Sequence, residues 1–516
     1  MAYTISMEDA STLATTHNLL WLLGLWIGYR FMLALYNISP LHPLYQFPGP
    51  KLAAASFLYE AWFDLIKVGR YSWEIKAMHE KYGPIVRINP EELHCDDYDF
   101  VDEIYPSLTT RIRDKHAHFL AGFAGTLTVS TFGTRDHERH RVRRSAISRF
   151  FSRQGILKYE PEIHDMGQKL CSKILNVAES GQIINALDPY NCFTADAISQ
   201  YCFGEPFGFL DNSDFEQNYK RAFEVLVATN HVFRHMPFLR PLVNLMPALG
   251  PYMGPDIAYM VKSMNETIPN HIVRAQQDKS GNARRVFAEI MDSDIPDEDK
   301  SIYRLSGEGW SLVAAGAETT AASLTAITFY LLSQPEKLQR LREELKNEDP
   351  YNLSWVQLEK YPYLHGVIFE AFRVALGVSG RLPRIAREEN LAYKNRGFNY
   401  VIPKGTPIGM SAFVNHNNQE LFPEPEKYKP ERWIDDQGRA NHSMEKYIMS
   451  FSKGSRQCIG MHLAFCELYL VTAALALRVL PHVKLYETVE DDIKYDFDAL
   501  TPQPKKGSRG VRVIRA

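Results

Sequence analysis

The chain has 516 residues, 45% of them hydrophobic and 23% charged, which is an ordinary composition for a globular protein. Its formal net charge of −3 gives no reason to expect a nucleic-acid partner. The six cysteines are scattered without a CxxC pair, which argues against a disulfide framework and for a reducing compartment. Length alone predicts about three domains.

The N-terminal segment has the character of a membrane anchor. Residues 1–18 are polar and acidic, and residues 19–36 are apolar except for Arg30. That length suffices for a membrane helix, and the first basic residues follow it. The positive-inside rule then places 1–18 in the lumen and the rest of the chain in the cytosol. A core helix and a helix lying on the membrane surface are the alternatives.

A proline-rich hinge follows the apolar segment, over residues 37–50, and ends in Phe47-Pro-Gly-Pro50. Two prolines around a glycine make this segment stiff and non-helical. The catalytic domain is therefore expected to begin at residue 51. Within it, Ile85–Pro90 and Glu92–Cys95 predict a β-hairpin, and residues 155–310 predict successive amphipathic helices.

A glycine-containing loop near the C-terminus carries the strongest chemical signal. It contains Phe451, Gly454, Arg456, Cys458 and Gly460, and it leads into an apolar helix. The glycines allow tight turns, and the helix N-terminus favours a thiolate over a thiol. A thiolate in such a loop suits iron held in a haem, with Arg456 beside an anionic group. A buried structural cysteine is the alternative.

The long apolar helix predicted over 311–332 contains Ala315-Gly-Ala-Glu-Thr-Thr320. Gly316 costs about 1 kcal/mol against alanine in a helix interior, which favours a functional reason for it, such as the approach of a flat ligand. Thr319 can bond to a carbonyl one turn back, and Glu318 and Thr319 together can relay protons. A routine polar helix face is the alternative.

These stretches, with Glu370-Ala-Phe-Arg373 and the Arg432 of Tyr428–Trp433, resemble the motifs of the cytochromes P-450, in the family's order. The resemblance implies a mostly α fold with a small β region and a single catalytic domain behind the anchor, which overrides the three-domain expectation. It also implies haem b, with Cys458 as the axial iron ligand, and a buried triad of Glu370, Arg373 and Arg432.

The resemblance further implies how the haem is held. The expected contacts to its propionates are Arg456, Arg144, His140 and Arg384, with Arg381 as the alternative to Arg384. His140 stands where the family usually carries a tryptophan. Phe451, Gly454, Gly460 and Gly316 are expected to shape the haem site. The expected substrate-pocket residues are apolar: Phe119, Leu120, Phe123, Val378, Leu382 and Leu500.

The implied reaction is the monooxygenation of a lipophilic small molecule, by hydroxylation or epoxidation, with Thr319 and Glu318 delivering protons. Within the family, the sequence is similar to fungal microsomal members such as trichodiene oxygenase. This similarity implies that the substrate is a terpenoid or polyketide intermediate of secondary metabolism. A haem-thiolate isomerase or dehydratase that uses no dioxygen, and a non-catalytic haem binder, are the alternatives.

The resemblance also implies the partners. Because no flavin or NADPH domain is recognised, electrons are expected from a separate NADPH-cytochrome P-450 reductase, with cytochrome b5 as a further donor. NADPH and flavins would then act only through that reductase. The expected location is the endoplasmic reticulum membrane, as a single-pass protein. The basic stretch around Arg139, Arg141 and Arg149 is either a docking surface for an acidic donor or a solvated face.

Overall fold

The structure is a computed structural model, and it describes residues 7–108, 110–215, 220–277 and 286–516. The fold is mostly helical with small sheets, which confirms the predicted fold class. The helices of eight or more residues are α1 Met7–Ile38, α2 Tyr71–Tyr82, α3 His137–Ser148, α4 Arg153–Glu179, α5 Leu187–Phe203, α6 Lys220–Ala228, α7 Pro255–Lys262, α8 Ile268–Gln277, α9 Ile302–Ser333, α10 Pro335–Glu344, α11 Pro362–Ala375 and α12 Met461–Ala474. Shorter helices lie at Lys51–Ala55, Leu58–Ala61, Val101–Ile104, Ala117–Leu120, Asn230–His235, Met246–Leu249, Val286–Met291, Trp355–Leu358 and Ala412–His416.

The strands are short and form four small sheets among the described residues. They are β1 Ile85–Arg87, β2 Leu93–Cys95, β3 Arg113–Lys115, β4 Ile184–Asn185, β5 Arg384–Ala386, β6 Leu391–Asn395, β7 Phe398–Ile402, β8 Pro407–Gly409, β9 Val483–Leu485, β10 Phe497–Ala499, β11 Thr501–Gln503 and β12 Arg512–Arg515. The largest sheet has the order β1-β2-β8-β5-β3, and its β1–β2 pair is the predicted hairpin, with Ile85 opposite Cys95.

Helix α9 is the centre of the helical core and lies against α5, α8, α11 and α12. Two glycines of α9 allow neighbouring segments to pack closely against it. A Cβ at Gly307 would lie 2.1 Å from the carbonyl oxygen of Thr126, and one at Gly309 would lie 2.8 Å from Ile268. Helix α12 in turn packs against α4. The helix that follows Cys458 is thereby fixed to both α4 and α9.

Helix α1 contains the whole of the predicted anchor segment 19–36. Its apolar side chains are exposed, with Trp26 60% and Phe31 62% accessible. Among the described residues, three helices are long and apolar enough to cross a membrane, but α9 and the helix that begins at Met461 are mostly buried inside the protein. The span His17–Ile38 therefore fits a membrane anchor.

Helix α11 brings one buried carboxylate to two arginines. Glu370 is fully buried and accepts hydrogen bonds from Arg373 at 2.8 and 2.9 Å. Arg432 donates to the same carboxylate at 3.1 Å, and the indole of Trp433 donates at 2.9 Å. Arg373 also donates to the carbonyl oxygens of His416, Pro425 and Lys427. One acid thus ties α11 to the segment that approaches the Cys458 loop.

We expect the substitution Glu370→Ala to leave little folded, haem-loaded protein. It would strand two buried guanidinium groups without a counter-charge, and removing one partner of a buried ion pair costs about 3–5 kcal/mol. Thermal unfolding and the haem content of the purified protein measure the effect. Glu343→Ala is the matched control, because Glu343 is 69% exposed in its pair with Lys346. Normal haem content in Glu370→Ala would contradict the bracing role.

Candidate active site

Cys458 lies in a loop whose backbone is tightly held. Its N–H donates to the carbonyl oxygen of Phe451 at 2.8 Å, and the Phe451 ring packs against Phe372. Gly454 has φ +74°, and a Cβ there would lie 2.3 Å from the carbonyl oxygen of Tyr105. Only glycine satisfies both conditions. By contrast, a Cβ at Gly460 would meet nothing within 4 Å, so packing alone does not require that glycine.

The Cys458 side chain opens into a cavity of about 250 Å³ between α9 and the loop. The Cys458 side chain is accessible from the cavity. Protein nevertheless surrounds the thiol, and this burial raises its pKa. The backbone of Gly460 and the Arg144 guanidinium oppose that shift. Burial therefore outweighs the helix terminus that the sequence led us to expect would favour a thiolate. A coordinated metal ion reverses this balance, because it deprotonates a coordinating thiol.

Five basic side chains line the same cavity: Lys115, His140, Arg144, Arg384 and Arg456. In the part of the chain that the structure describes, neither Lys115 nor any of the three arginines forms an ion pair. Arg456 instead donates to the carbonyl oxygens of Arg113, Thr134 and Arg135. Lys115 lies 3.8 Å from the centre of the Phe132 ring. Two acids also line the cavity, but neither pairs with these cations: Glu308 pairs with Arg304 at 2.7 Å, and burial raises the pKa of Glu467 to about 8.

The burial and proximity of these basic groups lower their pKa values. Burial lowers the pKa of Arg456 to about 9, with Arg384 and Arg144 adding to the shift. Burial also lowers the pKa of Lys115 far below its ordinary value. The pKa of His140 falls because of burial and the neighbouring cations, Arg456 first among them. A bound anion would reverse these shifts, because an opposite charge favours the charged form.

The two arginines weighed for one propionate contact have different surroundings. Arg381 is held by Glu60 at 2.5 Å and by Glu92 at 2.8 Å, and it does not line the cavity. Arg384 lines the cavity, donates only to the carbonyl oxygens of Leu382 and Pro383, and stacks 5.2 Å from the Tyr105 ring. Arg384 is therefore the residue that remains available to an anionic ligand.

Thr319 and Glu318 lie on different sides of α9. Thr319 lines the Cys458 cavity, and its hydroxyl donates to the carbonyl oxygen of Ala315 at 2.9 Å. Glu318 faces a second cavity, of about 620 Å³, which also contains Glu224 and Lys220. Burial and then Glu224 raise the pKa of Glu318 to about 7, and Lys220 opposes the shift. The larger cavity contains no cysteine, so it is not the candidate site.

Gly316 has a role beyond the one predicted from the sequence. It lines the Cys458 cavity, but a Cβ on it would lie 3.0 Å from Cγ1 of Ile198 on α5. The direction that lacks a side chain is therefore occupied by the neighbouring helix. The glycine permits close packing of α9 on α5, and only its backbone faces the cavity.

Four of the six expected pocket residues do not line the cavity. Val378 and Leu382 do line it. Phe119 and Phe123 are buried in an aromatic cluster behind Phe132, with their ring centres 6.5 and 5.4 Å from that of Phe132. The sequence could not indicate which face of this apolar loop points inward. The other two are Leu120, which packs against the same core, and Leu500, which packs beside Phe223, Val227 and Ala314.

The sequence analysis missed many of the residues that line the cavity, among them Lys115, Phe132 and Glu467. Glu467 had a usable signal, because it is the one charged residue between Cys466 and Arg478 on an apolar helix. Burial raises its pKa to about 8, and a hydrogen bond with Thr320 opposes the shift. Lys115 and Phe132 have no such signal, because strand pairing and loop packing bring them to the site.

The basic residues of α3 and the turn after it are already paired on the surface. Arg139 contacts Glu298 at 3.1 Å, Arg141 contacts Glu138 at 2.9 Å, and Arg149 contacts Glu289. These pairs balance the positive charge locally. The pairs favour a solvated face over a docking surface for these three arginines.

Comparison with known proteins decides the family. A model of the family described as cytochrome P450 matches residues 56–504. The chain belongs to the cytochrome P450 family.

The relatives of this P450 are fungal monooxygenases, which confirms the predicted resemblance. Cytochrome P450 monooxygenase ppzE of Metarhizium majus is 40% identical over 82% of this chain and 92% of its own length. Cytochrome P450 monooxygenase TRI4 of Fusarium sporotrichioides is 36% identical over 93% of each chain. Tryptophan 6-hydroxylase fscE of Fusarium equiseti is 36% identical, over 91% and 92%. This P450 is a haem-thiolate monooxygenase of secondary metabolism.

The family binds haem b and uses NADPH through a separate reductase. The residues around Cys458 fit this cofactor. Haem b needs an axial ligand and partners for two negatively charged propionates. The cavity offers one accessible cysteine sulfur, together with buried basic groups that form no ion pair among the described residues. The negative propionates of the cofactor would balance positive charge that this P450 leaves without ion pairs.

We expect Arg384→Met to weaken haem retention while keeping the fold. A hydrogen bond to a charged group contributes about 1.5–3 kcal/mol, so haem should transfer to an acceptor protein roughly ten- to hundredfold faster. Arg387→Met is the matched control, because Arg387 is 45% exposed and paired with Asp114 and Asp136. Equal transfer rates for the two variants would show that Arg384 does not hold the cofactor.

Proposed function

We propose that this P450 hydroxylates or epoxidises a lipophilic small molecule, a terpenoid or polyketide intermediate, with Cys458 as the axial ligand of its haem. One observation carries the proposal. Cys458 and Thr319 line the same cavity, whose remaining wall combines a basic cluster with apolar side chains. The basic cluster suits the propionates, and the apolar wall suits the substrate.

Different side chains of the cavity bind the haem and the substrate. When bound, the haem supplies dioxygen activation and the oxidising power for oxygen insertion. Arg144, Arg384 and Arg456 hold the propionates, with Lys115 and neutral His140 beside them. Phe451, Gly454 and Gly460 shape the loop so that the Cys458 sulfur reaches the iron. The substrate lies against apolar side chains, which keep water out: Phe132, Ile147, Phe151, Leu312, Val378 and Leu382.

The proposed proton relay uses two neighbouring residues on different faces of α9. Thr319 holds a hydroxyl at the cavity wall, and its bond to the Ala315 carbonyl fixes the orientation of the side chain. Glu318 has a pKa of about 7, so it both accepts and releases a proton near neutral pH. Glu318 would take up protons from the second cavity and pass them to the Thr319 hydroxyl on the wall of the Cys458 cavity.

The substrate class follows from the apolar wall of the cavity. Apolar contacts discriminate poorly between molecules of similar size. Enzymes with apolar cavities can therefore carry out the same oxidation on substrates with different carbon skeletons. The relatives are consistent with that breadth, since one at 36% identity is named as a tryptophan hydroxylase. Sequence identity at this level therefore does not fix the substrate. A terpenoid or polyketide intermediate suits the apolar side chains that line part of this cavity.

The enzyme is anchored in the endoplasmic reticulum membrane by α1, as a single-pass protein with a cytosolic catalytic domain. Residues 1–18 lie in the lumen, 19–36 form the anchor, 37–50 form the hinge, and 51–516 form the catalytic domain. A second apolar surface supports membrane contact. It lies between α6 and α7 and consists of exposed side chains: Phe238, Leu242, Leu245, Leu249, Tyr252 and Met253. The electron donors are NADPH-cytochrome P-450 reductase and cytochrome b5 on the same membrane.

We expect Thr319→Ala to retain the haem spectrum and to divert electrons to peroxide. A positioned proton donor contributes about 10²–10⁴ to a rate, so product formed per NADPH should fall at least about tenfold. Thr325→Ala is the matched control. Thr325 makes the same bond one turn back, to Ala321 at 2.8 Å, but it lines the second cavity. Unchanged product per NADPH in Thr319→Ala would remove Thr319 from the relay.

The absorption spectrum of the ferric enzyme tests the whole proposal. We expect a Soret band that moves from low to high spin when a terpenoid or polyketide displaces water from the iron, but not with fatty acids. Dioxygen consumption coupled to product then distinguishes the monooxygenase from an isomerase or dehydratase. Spin-shifting ligands that are turned over without dioxygen would overturn the reaction class. A haem that no ligand shifts, in an enzyme without turnover, would favour a non-catalytic haem binder.

A further inference from the structure

A second group of potential metal ligands lies outside the haem cavity. His365 projects from the first turn of α11, and His442 and Glu445 lie in the short helical segment His442–Tyr447, which precedes the Cys458 loop. One ligand atom from each of the three side chains lies within 4.8 Å of the others. Nε2 of His365 is 3.6 Å from a carboxylate oxygen of Glu445, and Nδ1 of His442 contacts the same oxygen.

The ring of His365 is buried, but its Nε2 has no hydrogen-bond partner. A buried polar atom without a partner is costly and calls for an explanation. The other ring nitrogen, Nδ1, lies 3.1 Å from the hydroxyl of Tyr469. When Nδ1–H donates to that hydroxyl, Nε2 presents a lone pair toward Glu445 and His442. Metal-bound histidines have this arrangement, in which the second nitrogen is held by a neighbour.

Glu445 also forms no ion pair with a lysine or arginine among the described residues. Its described ion-pair partners are only His442 and His365. The contrast with the other three-residue group of this kind, Glu60, Asp64 and His235, is informative. There, Arg381 lies 2.5 Å from Glu60 and Arg234 lies 3.5 Å from Asp64. Those carboxylates are already neutralised by arginines, so that group has no need of a metal ion.

We infer that His365, His442 and Glu445 form a binding site for one divalent transition-metal ion of the zinc class. Two imidazoles and one carboxylate are ligands that zinc uses, and water completes an open site of three protein ligands. Ligand atoms about 2.1 Å from a tetrahedral ion are about 3.4 Å apart, close to the 3.6 Å between His365 and Glu445.

The surroundings of the three side chains suit ion capture. The side chain of His442 is 71% exposed and that of Glu445 is 33% exposed, which gives the ion a path from solvent. Burial, followed by the neighbouring His442, lowers the pKa of His365 to about 3, so its imidazole is neutral at physiological pH. A neutral imidazole is the form that binds a metal ion.

The position of the site gives it a structural consequence. An ion there would join α11, which carries Glu370 and Arg373, to the segment that enters the Cys458 loop. That link is additional to the hydrogen bonds that Glu370 already makes. Because an ion that binds only the folded state stabilises it, zinc should raise the unfolding temperature of the haem-loaded enzyme.

The test uses the full-length, haem-loaded enzyme, so that Cys458 is already bound to iron. The protein is stripped of loose metal with a chelator and dialysed against Zn²⁺ at low micromolar concentrations, and bound zinc is counted by mass spectrometry. We expect one zinc per chain in the wild type. His442→Ala and Glu445→Gln should weaken binding at least tenfold without changing the haem spectrum. His482→Ala, which removes an exposed histidine elsewhere, is the matched control and should bind as the wild type does.

X-ray absorption at the zinc edge identifies the ligands. Two imidazoles with oxygen ligands and no sulfur are expected, together with a zinc-dependent rise in unfolding temperature that His442→Ala abolishes. The inference is overturned if the wild type binds no more zinc than His442→Ala, or if His482→Ala loses as much. A sulfur ligand in the spectrum would assign the zinc to a cysteine and would also overturn it.

Discussion

Unpaired positive charge around Cys458 is the constraint on which the rest of the site depends. Lys115, Arg144, Arg384 and Arg456 are drawn into one cavity with no ion-pair partner among the described residues. Burying charges of one sign is unfavourable, since both desolvation and repulsion oppose it. The fall in the pKa of Lys115, Arg456 and His140 expresses that cost. The cavity is therefore suited to an anionic ligand, such as the two propionates of the haem that the family binds.

The network on the other side of the Cys458 loop follows the opposite rule. Glu370 serves two arginines and an indole from a fully buried position, and nearly every donor of Arg373 has a carbonyl or carboxylate acceptor. That network is complete without a ligand, so it fixes geometry before the cofactor arrives. The charges of the Glu370 network are paired within the chain. The basic groups of the Cys458 cavity have no ion-pair partner among the described residues, and the haem propionates are suited to pair with them. The loop that carries Cys458 lies between them. A rigid support on one side and an unsatisfied cavity on the other hold the sulfur in place for a cofactor.

The sequence predicted the parts of the site that depend on spacing within one element. The Cys458 loop, the Ala315–Thr320 motif and the Glu370–Arg373 pair are local patterns, and each leads to a definite local geometry. Residues brought in by long-range packing were harder to predict. Phe119 and Phe123 are as apolar as Phe132, yet only Phe132 faces the cavity. The choice between Arg381 and Arg384 depended on Glu60 and Glu92, which are about 300 residues away in sequence. Composition cannot reveal such partners, because they are set by the folded topology.

Helix α9 separates the two residues of the proposed proton relay, because Thr319 lines the Cys458 cavity and Glu318 lines the second cavity. Successive residues of an α-helix point about 100° apart, so the neighbours Glu318 and Thr319 necessarily face different surroundings. Glu318 faces a second cavity that contains Glu224 and Lys220, and its pKa of about 7 reflects burial beside another acid. Thr319 faces the cysteine and has no charge to repel an apolar substrate. The proposed relay therefore has its acid on the face of α9 that turns away from the Cys458 cavity, one residue from Thr319.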